Sequence, residues 1–139
     1  MSDPGEAAQQ LLAMIPFAAE LGIELDNATP EQVTGRLAYK PQLCTAGGLL
    51  HGGALMAFAD TMGAVCAFLN LPAGAGTATI SSSTNLLRAV REGEVEAISR
   101  PLHVGRSVIA VQTELRAGGK LVAQVTQTQA VLGGPSSGS

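Results

Sequence analysis

Two features of one ten-residue segment could do chemistry on a carbonyl group. The segment HGGALMAFAD at 51–60 places His51-Gly52-Gly53 directly before a long apolar run. The first backbone N–H groups of a helix lack intrahelical acceptors and lie at the positive end of its dipole. A helix that begins at Gly52 could therefore polarise a carbonyl oxygen and stabilise an oxyanion. An ordinary glycine-rich helix start has the same sequence, so this feature alone does not define a site.

Asp60 is the second feature, about two and a half helical turns after His51. It stands among apolar residues, and an ionised carboxylate is rarely buried without compensation. Asp60 therefore needs a partner, a water-lined cleft or a catalytic task. It could also face solvent at a subunit edge or cap a neighbouring segment, and both alternatives stay open at this point.

The element that must position these residues is apolar on almost every side. Residues 52–69 have scarcely any polar face, which is typical of a buried helix or a membrane span. His51, Asp60 and the many small residues disfavour a span. We therefore predict a central buried helix and no membrane association.

The remaining segments predict one further helical region and several strands. Pro16 should interrupt a helix over Asp3–Leu21, and the turn residues 27–30 should close a hairpin over Gly22–Tyr39. A loop over Pro41–Leu50, flexible around Gly47-Gly48, should precede the central helix. A meander of long strands should follow it, at Thr77–Arg88, Glu94–His103, Ser107–Arg116 and Leu121–Leu132. The prediction is an α+β fold, one domain over residues 1–132 with a sheet wrapped around the central helix, and a disordered tail at 133–139.

Composition excludes several classes of function. The formal net charge of −3 argues against a nucleic-acid binder that neutralises phosphates broadly. Cys44 and Cys66 make a poor disulfide framework, and Cys66 is expected to be a small core residue. The start of the chain has acidic residues and no basic ones, unlike a signal peptide, which favours the cytoplasm. No metal is expected, since His51 and His103 have no cluster of ligands at suitable spacing.

Three motifs together resemble a known family. HGGALMAFAD at 51–60 is similar to a signature of His-Gly-Gly, apolar residues, and Asp or Glu nine positions after the His. TNLLRAVREGE at 84–94 looks like the strand and turn N-F-L-R-P-x-R-x-G, and HVGRS at 103–107 looks like a short hairpin of the same family. Over roughly residues 15–132 the chain resembles hotdog-fold acyl-CoA thioesterases of the phenylacetyl-CoA and 4-hydroxybenzoyl-CoA type.

The resemblance implies a role for each residue of the site. Asp60 would be the nucleophile or general base, the Gly52 N–H the oxyanion donor, and His51 would shape the start of the helix. Ser81 matches the place of a hydroxyl that helps to position water. Because Ser81-Ser82-Ser83 is an all-polar run, any of the three could instead face solvent. Relatives have Asn or Gln six residues before the His, where this chain has Thr45, and nearby Gln42 could substitute if the loop is shifted.

The family's substrate implies phosphate-binding residues and an assembly. Coenzyme A would be part of the substrate, with no further cofactor. Arg suits phosphate geometry, and Arg106 is the preferred phosphate ligand because it lies beside Gly105 in a tight hairpin. Arg88 and Ser107 complete the predicted set, and Arg91 and Lys120 are further candidates. The resemblance further implies a homodimeric active site, within a homotetramer.

Two other functions are alternatives to acyl-CoA hydrolysis. A non-catalytic acyl-CoA binding or sensing domain of the same fold would have no need for Asp60. A hotdog dehydratase or hydratase would need a His paired with an acid near an enoyl double bond, and His51 is poorly placed for that. Acyl-CoA hydrolysis ranks above both.

Overall fold

The computed structural model describes residues 3–133 of the 139-residue chain. The helices are α1 (Pro4–Ala13), α2 (Pro16–Leu21) and α3 (Gly52–Phe68), with a 3-10 turn at Pro41–Leu43. The strands are β1 (Glu24–Thr29), β2 (Gln32–Ala38), β3 (Ala75–Leu86), β4 (Glu94–Val104), β5 (Val108–Ala117) and β6 (Lys120–Gly133). Every element predicted from the sequence is present. Gly133, assigned above to the tail, pairs with Ala75, and 134–139 lie outside the described residues.

The helix boundaries have local causes. Asp3 caps α1 by accepting a hydrogen bond from the Glu6 N–H at 3.3 Å, and Pro4 occupies the first turn, where it costs no hydrogen bond. Pro16 separates α1 from α2, as its sequence position predicts. Gly22 ends α2 in the left-handed conformation (φ +81°), which glycine adopts without steric cost.

The six strands form one antiparallel sheet in the order β1-β2-β4-β5-β6-β3. The expected meander is therefore correct for β4–β6 and wrong for β3, which pairs with β6 at the edge. The reason is that α3 crosses the sheet face and delivers the chain to the far edge. Residues 87–93 then return over the end of the sheet, where Val90 is buried and its carbonyl accepts the Leu50 N–H.

The core lies between this sheet and α3. Phe58, Met62, Val65 and Cys66 are fully buried, and α3 packs against β2 through β6. The sheet therefore wraps around the central helix, which confirms the predicted hotdog architecture and the core role of Cys66. No helix within residues 3–133 is long and apolar enough to cross a membrane.

Candidate active site

At the start of α3, one backbone N–H has no hydrogen-bond acceptor within residues 3–133. His51 is the N-cap, and its Nδ1 accepts the Gly53 N–H at 2.7 Å. The His51 carbonyl accepts the N–H groups of Ala54 and Leu55. Within residues 3–133 no acceptor takes the N–H of Gly52. The arrangement leaves this N–H available to an external acceptor at the positive end of the helix.

A groove of about 350 Å³ opens beside Gly52. Thr45, Leu55, Leu86 and Arg88 are among the residues that line it. The Tyr39 hydroxyl holds the loop on this side by donating to the Gly48 carbonyl at 2.7 Å. Thr45 and Arg88 therefore line the same groove as Gly52.

Gln42 and His51 line a different depression. It has a volume of about 260 Å³ and also includes Phe17, Leu43 and Gly53. The amide of Gln42 is therefore not beside Thr45 in the Gly52 groove. The idea that Gln42 replaces the family's amide receives no support from this loop conformation.

Asp60 is an exposed carboxylate at the flank of α3 that lies beside β3 and β6. Its Oδ1 accepts hydrogen bonds from the Thr79 hydroxyl at 3.3 Å and from Gln127 Nε2 at 3.2 Å. None of the ion pairs within residues 3–133 includes Asp60. The carboxylate is thus held through one oxygen, and Oδ2 accepts no hydrogen bond from the described part of the chain.

A network of buried polar side chains on β6 contacts Asp60 and its neighbour Thr79, and it was not predicted from the sequence. Gln127 and Gln129 are each 1% exposed on the helix-facing side of β6. Gln129 Nε2 donates to the Thr79 hydroxyl at 2.8 Å, and Gln129 Oε1 accepts from the Thr77 hydroxyl at 3.1 Å. The alternation along β6 could have predicted these positions. Gln127 and Gln129 follow Val125 at every second residue, so they share its core-facing side of the strand.

Ser81 occupies a different face of the sheet from this network. It pairs with Thr128 after an irregularity in β3, whereas Gln127 and Gln129 point to the helix side. Because side chains alternate along a strand, Ser81 points away from α3. Thr79 is the hydroxyl that contacts Asp60 in this chain, and the role of Ser81 stays a prediction.

The two catalytic candidates on α3 are far apart within one chain. Gly52 and Asp60 are eight residues apart on a continuous helix, which is about 12 Å along the axis. A thioester carbonyl spans only one bond, so the two groups of a single chain cannot act on the same carbonyl carbon and oxygen.

The predicted phosphate ligands lie at opposite ends of the sheet. The Arg88 N–H donates to the Val122 carbonyl, and the Ser107 carbonyl, next to Arg106, accepts the N–H of Val131. Val131 lies nine positions after Val122 on β6, which corresponds to about 30 Å along the strand. Arg88 and Arg106 of one chain therefore cannot contact one phosphate group together. Within residues 3–133 no group of three or more His, Cys, Asp or Glu side chains could hold a metal ion.

Comparison with known proteins gives consistent matches. A family model described as the thioesterase superfamily matches residues 47–124. The proofreading thioesterase EntH of Cronobacter turicensis is 33% identical over 86 residues, 62% of this chain and 63% of that protein. The structure of thioesterase HI1161 of Haemophilus influenzae has a TM-score of 0.88 at 26% identity, covering 100% of this chain and 97% of its own. Thioesterase PA1618 of Pseudomonas aeruginosa, solved as a mutant, has a TM-score of 0.86 at 25% identity, covering 95% and 96%.

Proposed function

Because the chain belongs to the thioesterase superfamily and is a thioester hydrolase, we propose that its substrate is an acyl-CoA and that Asp60 and Gly52 carry the reaction. The observation behind this proposal is the exposure of the Asp60 carboxylate and the hydrogen bonds that it accepts. It is an exposed carboxylate on an otherwise apolar helix, held through Oδ1 and free at Oδ2. A carboxylate with one oxygen held in place and the other open can accept a proton from water or attack a carbonyl carbon.

In the proposed reaction, water adds to the thioester carbonyl and the C–S bond breaks. Asp60 Oδ2 either removes a proton from the water or attacks the carbonyl carbon, after which water hydrolyses the anhydride. The Gly52 N–H donates to the carbonyl oxygen as it becomes an oxyanion. The products are the free acid and the CoA thiol.

We place Gly52 of one chain opposite the partner subunit's Asp60. The separation of about 12 Å along α3 excludes a site made by one chain, and a two-fold dimer would supply both groups to each of two sites. The edge position of β3 supports this arrangement, because an open edge strand can pair with a second copy. Ile80 and Leu86 on that strand are 60% and 51% exposed in one chain. We expect the dimers to assemble further into a homotetramer.

The dimer also bears on the cations proposed for CoA. Antiparallel pairing of two β3 edges would bring the Leu86 end of one chain beside the Ala75 end of the other. Arg88 of one chain and the Arg106–Ser107 turn of the other could then hold different phosphates of one CoA. The proximity of Arg88 to the Gly52 groove supports this assignment.

The alternative is an acyl-CoA binding or sensing domain that does no chemistry. Such a domain would use the groove beside Gly52 equally well. It would not require a carboxylate at position 60, and replacement of Asp60 would leave its ligand affinity and its output unchanged. Turnover therefore separates the two functions.

The test is CoA thiol release from a panel of aromatic, short-chain and long-chain acyl-CoAs. We expect the wild type to turn over at least one of them, and Asp60→Asn to lower kcat by roughly 100-fold or more, because the amide can neither accept a proton nor attack efficiently. Glu31→Gln, the same chemical change at an exposed turn residue, should leave kcat unchanged. Wild-type activity against none of the panel would contradict the substrate proposal, and an Asp60→Asn variant within twofold of the wild type would contradict the mechanism.

A further inference from the structure

Gln127 is a buried amide whose contacts are incomplete. Its side chain is 1% exposed, and its Nε2 lies 3.2 Å from Asp60 Oδ1 and 3.4 Å from the Asp60 carbonyl oxygen. Its Oε1 is the one buried side-chain oxygen or nitrogen without a hydrogen-bond partner within residues 3–133. A buried acceptor left unpaired lowers stability, so packing alone does not account for glutamine at this position.

The helix provides a space for this amide at Gly63. Gly63 lies three residues after Asp60 and therefore on the same side of α3. A Cβ at this position would overlap Oε1 of Gln127. The absence of a side chain at Gly63 thus lets the Gln127 amide lie flat against the helix and reach Asp60.

We propose that Gln127 is a positioning residue for the reaction, which orients the Asp60 carboxylate through Oδ1 and leaves Oδ2 to the substrate and water. The inference rests on the proposed function of Asp60. A neutral donor to an ionised carboxylate forms a charge-assisted hydrogen bond, and it adds no charge that would compete for the proton. Gln127 does not itself touch the reacting atoms.

Other residues around Asp60 do not replace this donor. The Thr79 hydroxyl also reaches Oδ1, but Thr79 is exposed to solvent on the edge strand and its contact of 3.3 Å is the longer one. Gln129 acts on Thr79 and not on Asp60. Gln127 is the only one of the three whose side chain is both buried and in contact with the carboxylate.

The central experiment replaces Gln127 with Met, which has a similar length and no donor. We expect kcat to fall by roughly 10-fold to 100-fold while KM stays within twofold, because orientation at the transition state is lost and binding is not. The Tm should stay the same or rise, since the unpaired Oε1 is removed. A residue with a purely structural role would give the opposite pattern, a lower Tm with kcat unchanged. Gln124→Met, on the other face of the same strand, is the control and should leave kcat unchanged.

A second experiment fills the space beside Gly63 with a methyl group. It does not require the Gln127→Met variant to fold. Gly63→Ala should displace the Gln127 amide and lower kcat by about 10-fold or more in the wild-type background. In a Gln127→Ala background the same substitution should change kcat by less than twofold, because the amide it displaces is already absent. Equal effects in the two backgrounds would overturn the inference.

The outcomes distinguish the inference from the proposed function. If Asp60→Asn is inactive and Gln127→Met retains full kcat, the positioning role is wrong and the function stands. If the wild type hydrolyses no acyl-CoA, the proposed function is wrong and the positioning role is overturned with it.

Discussion

At the scale of single residues, Gly52 can act only through its backbone. The effect of losing its N–H can therefore be measured separately from the effect of adding a side chain. Gly52→Pro removes the N–H, and proline is well tolerated at the first position of a helix. We expect kcat to fall by roughly 100-fold or more, as for loss of an oxyanion donor. The measurement is steady-state thiol release.

The matched control for that prediction is Gly52→Ala. Both substitutions add a Cβ, which would lie 2.7 Å from Leu86 Cδ1, a half-exposed side chain that can move. Alanine keeps the N–H and should retain most of the activity. A comparable loss in both variants would show that crowding of the groove, and not the missing donor, is responsible.

Cys66 allows a prediction about alkaline stability. Burial raises the pKa of the Cys66 thiol from 9.0 to about 12, so between these values the unfolded chain releases a proton that the folded chain retains. The free energy of unfolding should therefore be unaffected below pH 9 and fall as the pH rises toward 12, by at most about 1.4 kcal/mol per pH unit. Urea denaturation at pH 8 and pH 10.5 should show a smaller loss for Cys66→Ala than for the wild type. An equal loss in the two proteins would contradict the assignment to this thiol.

At the scale of elements, the contact between β2 and α3 depends on Gly35. A Cβ at Gly35 would lie 2.6 Å from the Glu24 carbonyl oxygen and 2.7 Å from Met62 Cε. Met62 can move but the β1 backbone cannot, so Gly35→Ala should lower the free energy of unfolding by about 1–3 kcal/mol. Gly76→Ala, where a Cβ meets nothing within 4 Å, should change it by less than about 0.5 kcal/mol. Denaturant titrations of both variants test the comparison, and equal stabilities would contradict it.

Helix α3 itself has two sides with different tasks. Phe58, Met62 and Val65 pack into the sheet, whereas Met56 and Asp60 on the other side are exposed in one chain. The exposed side has the carboxylate that we propose as catalytic, together with apolar surface. An element of this kind is completed by a second copy better than by solvent.

At the scale of the whole molecule, the proposed sharing of each site by two chains predicts complementation between two inactive variants. A dimer of one Asp60→Asn chain and one Gly52→Pro chain would have one site with both groups intact and one with neither. Random mixing makes about half of the dimers mixed, so co-refolded variants should recover about one quarter of the wild-type kcat. A site made within one chain would give no recovery, and light scattering of the mixture should verify that dimers formed.

The sequence alone determined the elements and the buried character of the central helix. Pro16 and Gly22 act on their own neighbours, and the apolar run around Asp60 is visible as a local pattern, so these expectations were confirmed in the fold. His51 was expected to shape the start of α3, and it caps the helix.

Only the tertiary structure decided which distant groups meet. The edge position of β3 depends on where α3 delivers the chain, and a strand's own pattern does not specify its neighbour. The packing of α3 against β6 brings Gln127 to Asp60 across 67 positions of sequence. The register of β3 on β6 makes Thr79, rather than Ser81, the hydroxyl in contact. Local periodicity specifies which face a residue occupies within its own element, whereas contacts between elements depend on the register and on how the chain crosses the sheet.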